Sequence, residues 1–258
     1  MKKIVLAVTF LAGLGLQTVL QAKATNEQLV IGVSQEFEHL NPLNIDSVAI
    51  AYVSRMINRP LVSIDTHWNY FCHLCTQMPS FENGMVKKSA EQGKEKLLVT
   101  WELKPNAKWG DGKPLTGHDV KFSWEIGKSS NVMIAEKDYY TQIEEITVDP
   151  KNPQRFTMKF GEVKYNFYRL TNIGIVPQHI EKPIWEKTKT QTNAYEKAST
   201  YVGNPLNPGL YSGPYLVAEL KLGSHVVLKP NPNFYGEKPK IQKIIFRFIP
   251  NTQALEAA

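Results

Sequence analysis

Residues 108–124 read KWGDGKPLTGHDVKFSW and combine a turn, a helix start and three side chains with carboxyl or imidazole groups. Those side chains are Asp111, His118 and Asp119. Asp111 begins an Asp-Gly pair, which is typical of a turn. Thr116 is a suitable N-cap, and Asp119 stands three residues later at the capping-box position. We therefore predict that both acids stabilise a turn and a helix, with His118 exposed in its first turn.

The same stretch lacks the pattern of a calcium loop, which needs oxygen ligands at alternating positions and a glutamate at position twelve. The chain contains no GxSxG elbow, HExxH helix, P-loop or GxGxxG motif. No two acids stand out as a general acid/base pair. We predict that the protein is not an enzyme, and that it has no cofactor and no metal site.

Runs of alternating apolar and polar residues elsewhere predict strands, and one helix is predicted early in the chain. Ser47 is a plausible N-cap for that helix. Arg59-Pro60 is expected to end it, because proline disfavours helical backbone at the residue before it. This mixture predicts an α/β (mixed α+β) fold. The predicted strands are 29–33, expected to be buried, and 97–103, 143–148, 156–160, 225–228 and 244–248.

The first residues predict export. A basic start at Met1–Lys3 is followed by an apolar run at 4–16 and by Ala22-Lys23-Ala24, a suitable cleavage site. The apolar run is shorter than the roughly 20 residues that a membrane span needs. We expect 1–24 to be a secretory leader and the mature protein to be periplasmic.

The charge pattern argues against a nucleic-acid partner. The chain has 30 Lys and Arg against 24 Asp and Glu, a net charge of +6, which falls to +3 without the three lysines of the leader. Basic residues alternate with acids and form no stripe of the kind that binds nucleic acid. A mixed, solvated surface of a monomer is expected.

Cys72 and Cys75 form a CxxC pair, which allows several roles. A redox site would need a helix after the first cysteine, and none is evident. A zinc site would need two further ligands, for which His67 and His73 are the candidates. In an oxidising compartment, a local disulfide or two buried thiols is the simpler interpretation. An exported thiol-disulfide protein stays an alternative.

Five segments in order resemble the family 5 extracellular solute-binding proteins, the peptide-binding receptors of ABC importers. The central one extends from Trp101 to Trp124 and includes KWGDGKPLTGHDV. Gly117 stands where the family usually has alanine. The other four are Leu40-Asn41-Pro42-Leu43, Asn172 to Ile180 (NIGIVPQHI), Ser212-Gly213-Pro214-Tyr215 and Asn231-Pro232-Asn233-Phe234-Tyr235.

The resemblance implies a two-lobed receptor that closes on a peptide and delivers it to an inner-membrane ABC permease. Such receptors hold peptides largely through main-chain hydrogen bonds. The turn at Leu40-Asn41-Pro42, here called the LNP turn, is followed by a segment that lies against the ligand in the family. The predicted ligand contacts are therefore Asp46, Ser47 and Val48. Tyr211 and Ser212 are weaker candidates for the cleft wall. Related receptors for nickel, haem, sugars or opines keep another solute open as the ligand.

The resemblance also suggests a division of the chain. Residues 25–47 and 165–258 are expected to form an incomplete first-lobe core of the periplasmic-binding-protein type. Residues 48–164 are expected to form an inserted subdomain. Family members are about twice as long, so we expect this chain to be truncated before the second lobe.

Overall fold

The computed structural model describes residues 27–36, 39–45, 47–134, 136–251 and 253, so the predicted leader at 1–24 lies outside the described residues. Strands and helices are interspersed along the described chain. The strands are β1 Gln28–Val33, β2 Val62–Ile64, β3 Tyr70–Cys72, β4 Val86–Glu91, β5 Lys94–Glu102, β6 Ile143–Val148, β7 Arg155–Phe160, β8 Tyr215–Lys221, β9 His225–Pro230 and β10 Lys243–Phe248. The α-helices are α1 Val48–Ile57, α2 Gly117–Lys128, α3 Lys137–Thr141, α4 Gln178–Thr188, α5 Ala194–Ala198 and α6 Thr200–Gly203.

Two four-stranded sheets and a small hairpin make up the β-structure of the described chain. One sheet has the order β1-β10-β9-β8, in which β1 is parallel to β10 and the other pairs are antiparallel. The other has the order β4-β5-β7-β6 and is antiparallel throughout. The predicted α/β class is thus confirmed. The second sheet falls within the predicted insertion at 48–164, whose limits stay a prediction.

The prediction that the first strand is buried is wrong. β1 forms at Gln28–Val33, but Leu29 and Val30 are 38% and 49% exposed. Within the described residues β1 pairs with β10 alone and is therefore an edge strand. A short apolar run does not distinguish an edge strand from a central one, because that difference depends on the neighbouring strands.

The stretch at 108–124 forms the predicted turn and capped helix. Gly112 has a φ of +87°, a left-handed conformation that glycine adopts without strain. Thr116 caps α2 by accepting from the N–H of His118, and the side chain of Asp119 accepts from the N–H of Thr116 at 2.8 Å. The capping box is therefore confirmed, and His118 is exposed as expected.

Asp119 also joins two helices that are distant in sequence. Its side chain is almost fully buried, and its Oδ1 accepts from the N–H of Gln178, at the start of α4, at 2.9 Å. Burial raises the pKa of Asp119, and the N–H groups of Thr116 and Gln178 partly offset that rise. One carboxylate thus satisfies free N–H groups at two helix starts.

Helix α1 begins and ends as predicted. The Ser47 hydroxyl accepts from the N–H of Ile50 at 3.2 Å, which confirms the N-cap. The last helical residue is Ile57, and Asn58 is the C-cap, just before Arg59-Pro60. The buried face of α1 joins the main core, so its end is held in a fixed position beside the β-structure.

Candidate functional site

A cavity of about 370 Å³ lies beside the C-terminal half of α1. Its walls come from distant parts of the chain: the segment after Asn41, helix α1, strand β2, His73 between the two cysteines, the residues around α3 and a segment before α4. The lining residues are Pro42, Leu43, Ile45, Ala51, Ser54, Arg55, Asn58, Arg59, Pro60, Ser63, Ile64, His73, Ile134, Glu136, Tyr140, Ile173, Gly174 and Ile175.

Close main-chain contacts hold one wall of the cavity together. A Cβ atom on Gly174 would lie 2.1 Å from the carbonyl oxygen of Pro42, so only glycine fits there. The N–H of Gly174 donates to the Tyr140 hydroxyl at 3.1 Å. Burial raises the pKa of Tyr140, which keeps this hydroxyl neutral. The segment at 173–175 is therefore fixed from both sides.

A second glycine fixes the end of α1. The N–H of Gly213 donates to the carbonyl oxygen of Ile57 at 2.7 Å, and a Cβ on Gly213 would lie 2.4 Å from the carbonyl carbon of that residue. The neighbouring Ser212 hydroxyl accepts from the N–H of Arg59 at 3.3 Å. This turn therefore sets the position of the residues that follow α1.

A buried polar chain anchors the LNP turn from behind. Asn41 Oδ1 accepts from the N–H of Leu43 at 3.0 Å, and Asn41 Nδ2 contacts the Ser199 hydroxyl at 3.5 Å. Ser199 in turn donates to the fully buried Glu181 carboxylate at 2.8 Å, which also accepts from the N–H of Thr200 at 3.0 Å. Satisfied buried polar groups of this kind favour one arrangement of the turn.

Arg59 and His73 are the partly buried basic side chains in the cavity wall. The Nη1 of Arg59 donates to the carbonyl oxygens of Arg55, at 2.5 Å, and Asn58, at 3.1 Å. Burial is the main cause that lowers the pKa of Arg59. Burial, and then the charges of Arg59 and Lys104, lower the pKa of His73 to about 4. His73 is therefore neutral at pH 7.

Of the predicted contacts after the LNP turn, Ser47 and Val48 are not among the residues that line this cavity. Ile45 lines it, whereas Asp46 lies outside the described residues. Ser47 is occupied as the cap of α1, and the N–H of Val48 donates to Gln35 Oε1 at 3.1 Å. The structure thus shows the capping role of Ser47, and the ligand contacts of these residues stay a prediction.

Tyr211 and Ser212 are both buried and lie outside the lining of the cavity. The Tyr211 hydroxyl donates to the carbonyl oxygen of Pro205 at 2.5 Å. The Ser212 hydroxyl accepts from the main-chain N–H of Arg59 and so helps to position that cavity-lining residue. The structure gives both side chains internal partners, and their contact with a ligand stays a prediction.

Cys72 and Cys75 form a disulfide, with Cα atoms 5.0 Å apart, which selects one of the possibilities that the sequence left open. Cys75 is fully buried, and His73 between them lines the cavity. No helix occurs in the described stretch from Cys72 to β4, so no helix N-terminus stabilises a thiolate as in a redox enzyme. Among the described residues, no group of His, Cys, Asp or Glu is placed to hold a metal ion.

Two of the main cavity residues were predicted to have other roles. Arg59 was expected to help end α1, and His73 was a candidate zinc ligand. Ile173 and Gly174 belonged to a recognised segment without an assigned role. These four residues come together only in the tertiary structure. Their spacing along the sequence therefore does not predict that they line one cavity.

Residues 81–258 match the family model of bacterial extracellular solute-binding proteins, family 5 Middle. The chain belongs to this family. The matched range includes KWGDGKPLTGHDV and the three later segments on which the resemblance was based, so that prediction is confirmed. A similar curated sequence is the probable peptide-binding protein YejA of Agrobacterium fabrum, 26% identical over 209 residues.

Solved structures show the same fold. The oligopeptide-binding protein of Thermus thermophilus, complexed with a pentapeptide, superimposes with a TM-score of 0.76 at 26% identity, over 90% of this chain. NikZ of Campylobacter jejuni, in complex with Ni(L-His), gives 0.69 at 21% identity over 90%. The chain spans 31% of the length of YejA, 42% of the Thermus protein and 41% of NikZ. The predicted periplasmic-binding-protein type of fold is confirmed.

In the described part of this family member, no helix has the length and apolar character for crossing a bilayer.

Proposed function

We propose that this chain forms part of a periplasmic receptor that captures peptides for an inner-membrane ABC permease. The observation that carries the proposal is the cavity beside α1, in a chain 26% identical to an oligopeptide-binding protein complexed with a pentapeptide. The receptor works as a monomer and performs no reaction. Its task is to bind the peptide and release it at the permease.

The cavity wall suits an extended peptide. Ser63 and Ile64 of β2 line it, and within the described chain β2 pairs with β3 alone. A free strand edge can form main-chain hydrogen bonds with an added strand, whatever the side chains of that strand are. Apolar lining residues such as Ile45 and Ile175 supply non-specific contact. This combination favours broad rather than narrow peptide specificity.

Isothermal titration calorimetry with a mixed pentapeptide library tests the proposal. Saturable heat is expected from the unaltered protein. Ile45→Arg should abolish it, because the larger, charged side chain occupies the cavity. Val202→Arg is the matched control, since Val202 is similarly exposed but lies outside the cavity lining.

A different result would overturn the peptide assignment. No heat with any peptide, together with saturable binding of nickel-histidine, a sugar or an opine, would assign another solute to the same receptor. Equal peptide binding by the Ile45→Arg variant would show that this cavity is not the site.

A further inference from the structure

The charge in the cavity wall is unbalanced. Arg55 and Arg59 both line the cavity, and Glu136 is the acidic residue among the lining side chains. Within the described residues, no carboxylate oxygen lies within 4.0 Å of either guanidinium, whereas Arg155 on β7 has Glu102 at 3.9 Å. The two arginines therefore give this part of the cavity a positive potential that no ion pair neutralises.

Arg59 also has unused hydrogen-bonding capacity. Its Nη1 donates to two carbonyl oxygens at the end of α1, but its Nε is buried and has no acceptor in the described chain. The ring of Phe234, 5.3 Å from the guanidinium carbon, compensates only part of the charge. A partly buried cation without a carboxylate is unfavourable until an anion completes it.

The backbone of Arg59 is held in place before any ligand arrives. Its N–H donates to the Ser212 hydroxyl, and the preceding helix end is fixed by Gly213. A guanidinium on a fixed main chain loses less conformational freedom on binding, because its planar fork is already oriented. Arg59 therefore has the position, the charge and the free donor of a binding residue.

We propose that this cavity contains an anion subsite in which Arg59 binds a carboxylate of the ligand. The inference rests on the proposed function, under which the carboxylate is the side chain of an Asp or Glu residue in the peptide. Arg55 contributes to the same positive potential. The receptor then binds acidic peptides in preference to their amide counterparts.

Two pentapeptide pools test this preference, one enriched in Asp and Glu and the other with Asn and Gln at the same positions. The unaltered protein should bind the acidic pool about tenfold or more tightly, as expected of one charge-assisted hydrogen bond. Arg59→Gln should abolish the difference. Arg155→Gln removes the same charge away from the cavity and should leave the difference unchanged.

A second variant controls for loss of the hydrogen bonds from the Arg59 side chain to the carbonyl oxygens at the end of α1. Arg59→Lys keeps the charge but not the planar fork, so it should retain part of the preference. Equal affinity for both pools in the unaltered protein would overturn the anion subsite while leaving peptide capture intact. A preference that survives in Arg59→Gln would also overturn it.

If neither pool binds, peptide capture fails, and the subsite is tested without a peptide. N-acetylglutamate is titrated against the protein while the His73 ring is followed by NMR, because His73 lines the same cavity. A saturable shift of the His73 resonances is expected in the unaltered protein and not in Arg59→Gln. The absence of any shift in the unaltered protein would overturn the proposal.

Discussion

Asp119 provides a direct test of the view that the acids of KWGDGKPLTGHDV are structural. Its two oxygens accept from different N–H groups, Oδ2 from Thr116 at 2.8 Å and Oδ1 from Gln178 at 2.9 Å, in an almost fully buried position. An asparagine has a single acceptor oxygen. In Asp119→Asn, one buried N–H therefore faces an NH₂ donor instead of an acceptor.

The expected loss in the free energy of unfolding depends on how many buried N–H groups lose their acceptor. One buried donor left without an acceptor lowers the free energy of unfolding by about 1–3 kcal/mol. Asp119→Ala leaves both donors unpaired and should lower it by about 2–5 kcal/mol. Asp111→Asn is the matched control. Its partner His179, at 2.8 Å, is also partly exposed, so the change should be about 1 kcal/mol or less.

Urea unfolding followed by tryptophan fluorescence measures these differences. Circular dichroism of each variant checks that the fold is retained. An Asp119→Asn variant within about 0.5 kcal/mol of the unaltered protein would refute the account of the two helix starts. A variant that is fully stable but has lost peptide binding would show instead that Asp119 acts on the ligand.

Three further predictions concern the cavity wall. Reducing the disulfide, or replacing Cys72 and Cys75 by alanine, should lower the free energy of unfolding by about 2 kcal/mol, as expected for a loop this short, in urea unfolding with and without dithiothreitol. The pKa of His73 is about 4 in the folded state and about 6.5 when unfolded, so the unfolded state binds more protons between these values. Stability should therefore fall by about 1–2 kcal/mol, allowing for partial exposure, as the pH is lowered from 6.5 to 4, and His73→Gln should remove this loss in unfolding curves across that range. Gly174→Ala should lower the melting temperature by several degrees in a thermal scan, because the added Cβ would lie 2.1 Å from the carbonyl oxygen of Pro42. Gly203→Ala is the control and should leave the melting temperature nearly unchanged, because no atom lies within 4 Å of its added Cβ.

Local features were predicted well because their partners are close in sequence. The cap at Ser47, the capping box at Thr116 and Asp119, and the strand pair at 143–148 and 156–160 all depend on short separations. Position within a sheet was predicted less well. The prediction that β1 is buried was wrong because burial depends on which strands flank it. The strand that pairs with β1, Lys243–Phe248, is more than 200 residues away in the chain.

Several elements were not predicted at all, and each had a weak local pattern. Strands β2 and β3 are three residues long, too short for alternation to be evident. Helix α4 contains Pro183, which sequence rules place at helix ends. These elements form through tertiary contacts that outweigh their local preferences.

The sequence alone determined the turn, the helix caps and the five segments that identify the family. These depend on residues a few positions apart, whose geometry the backbone dictates. The tertiary structure alone decided where the cavity lies, because its walls meet through contacts such as those of Gly174 with Pro42 and Gly213 with Ile57. It also decided that Arg59 lines that cavity without a carboxylate partner among the described residues, since an ion pair depends on distances between segments that are far apart in the chain.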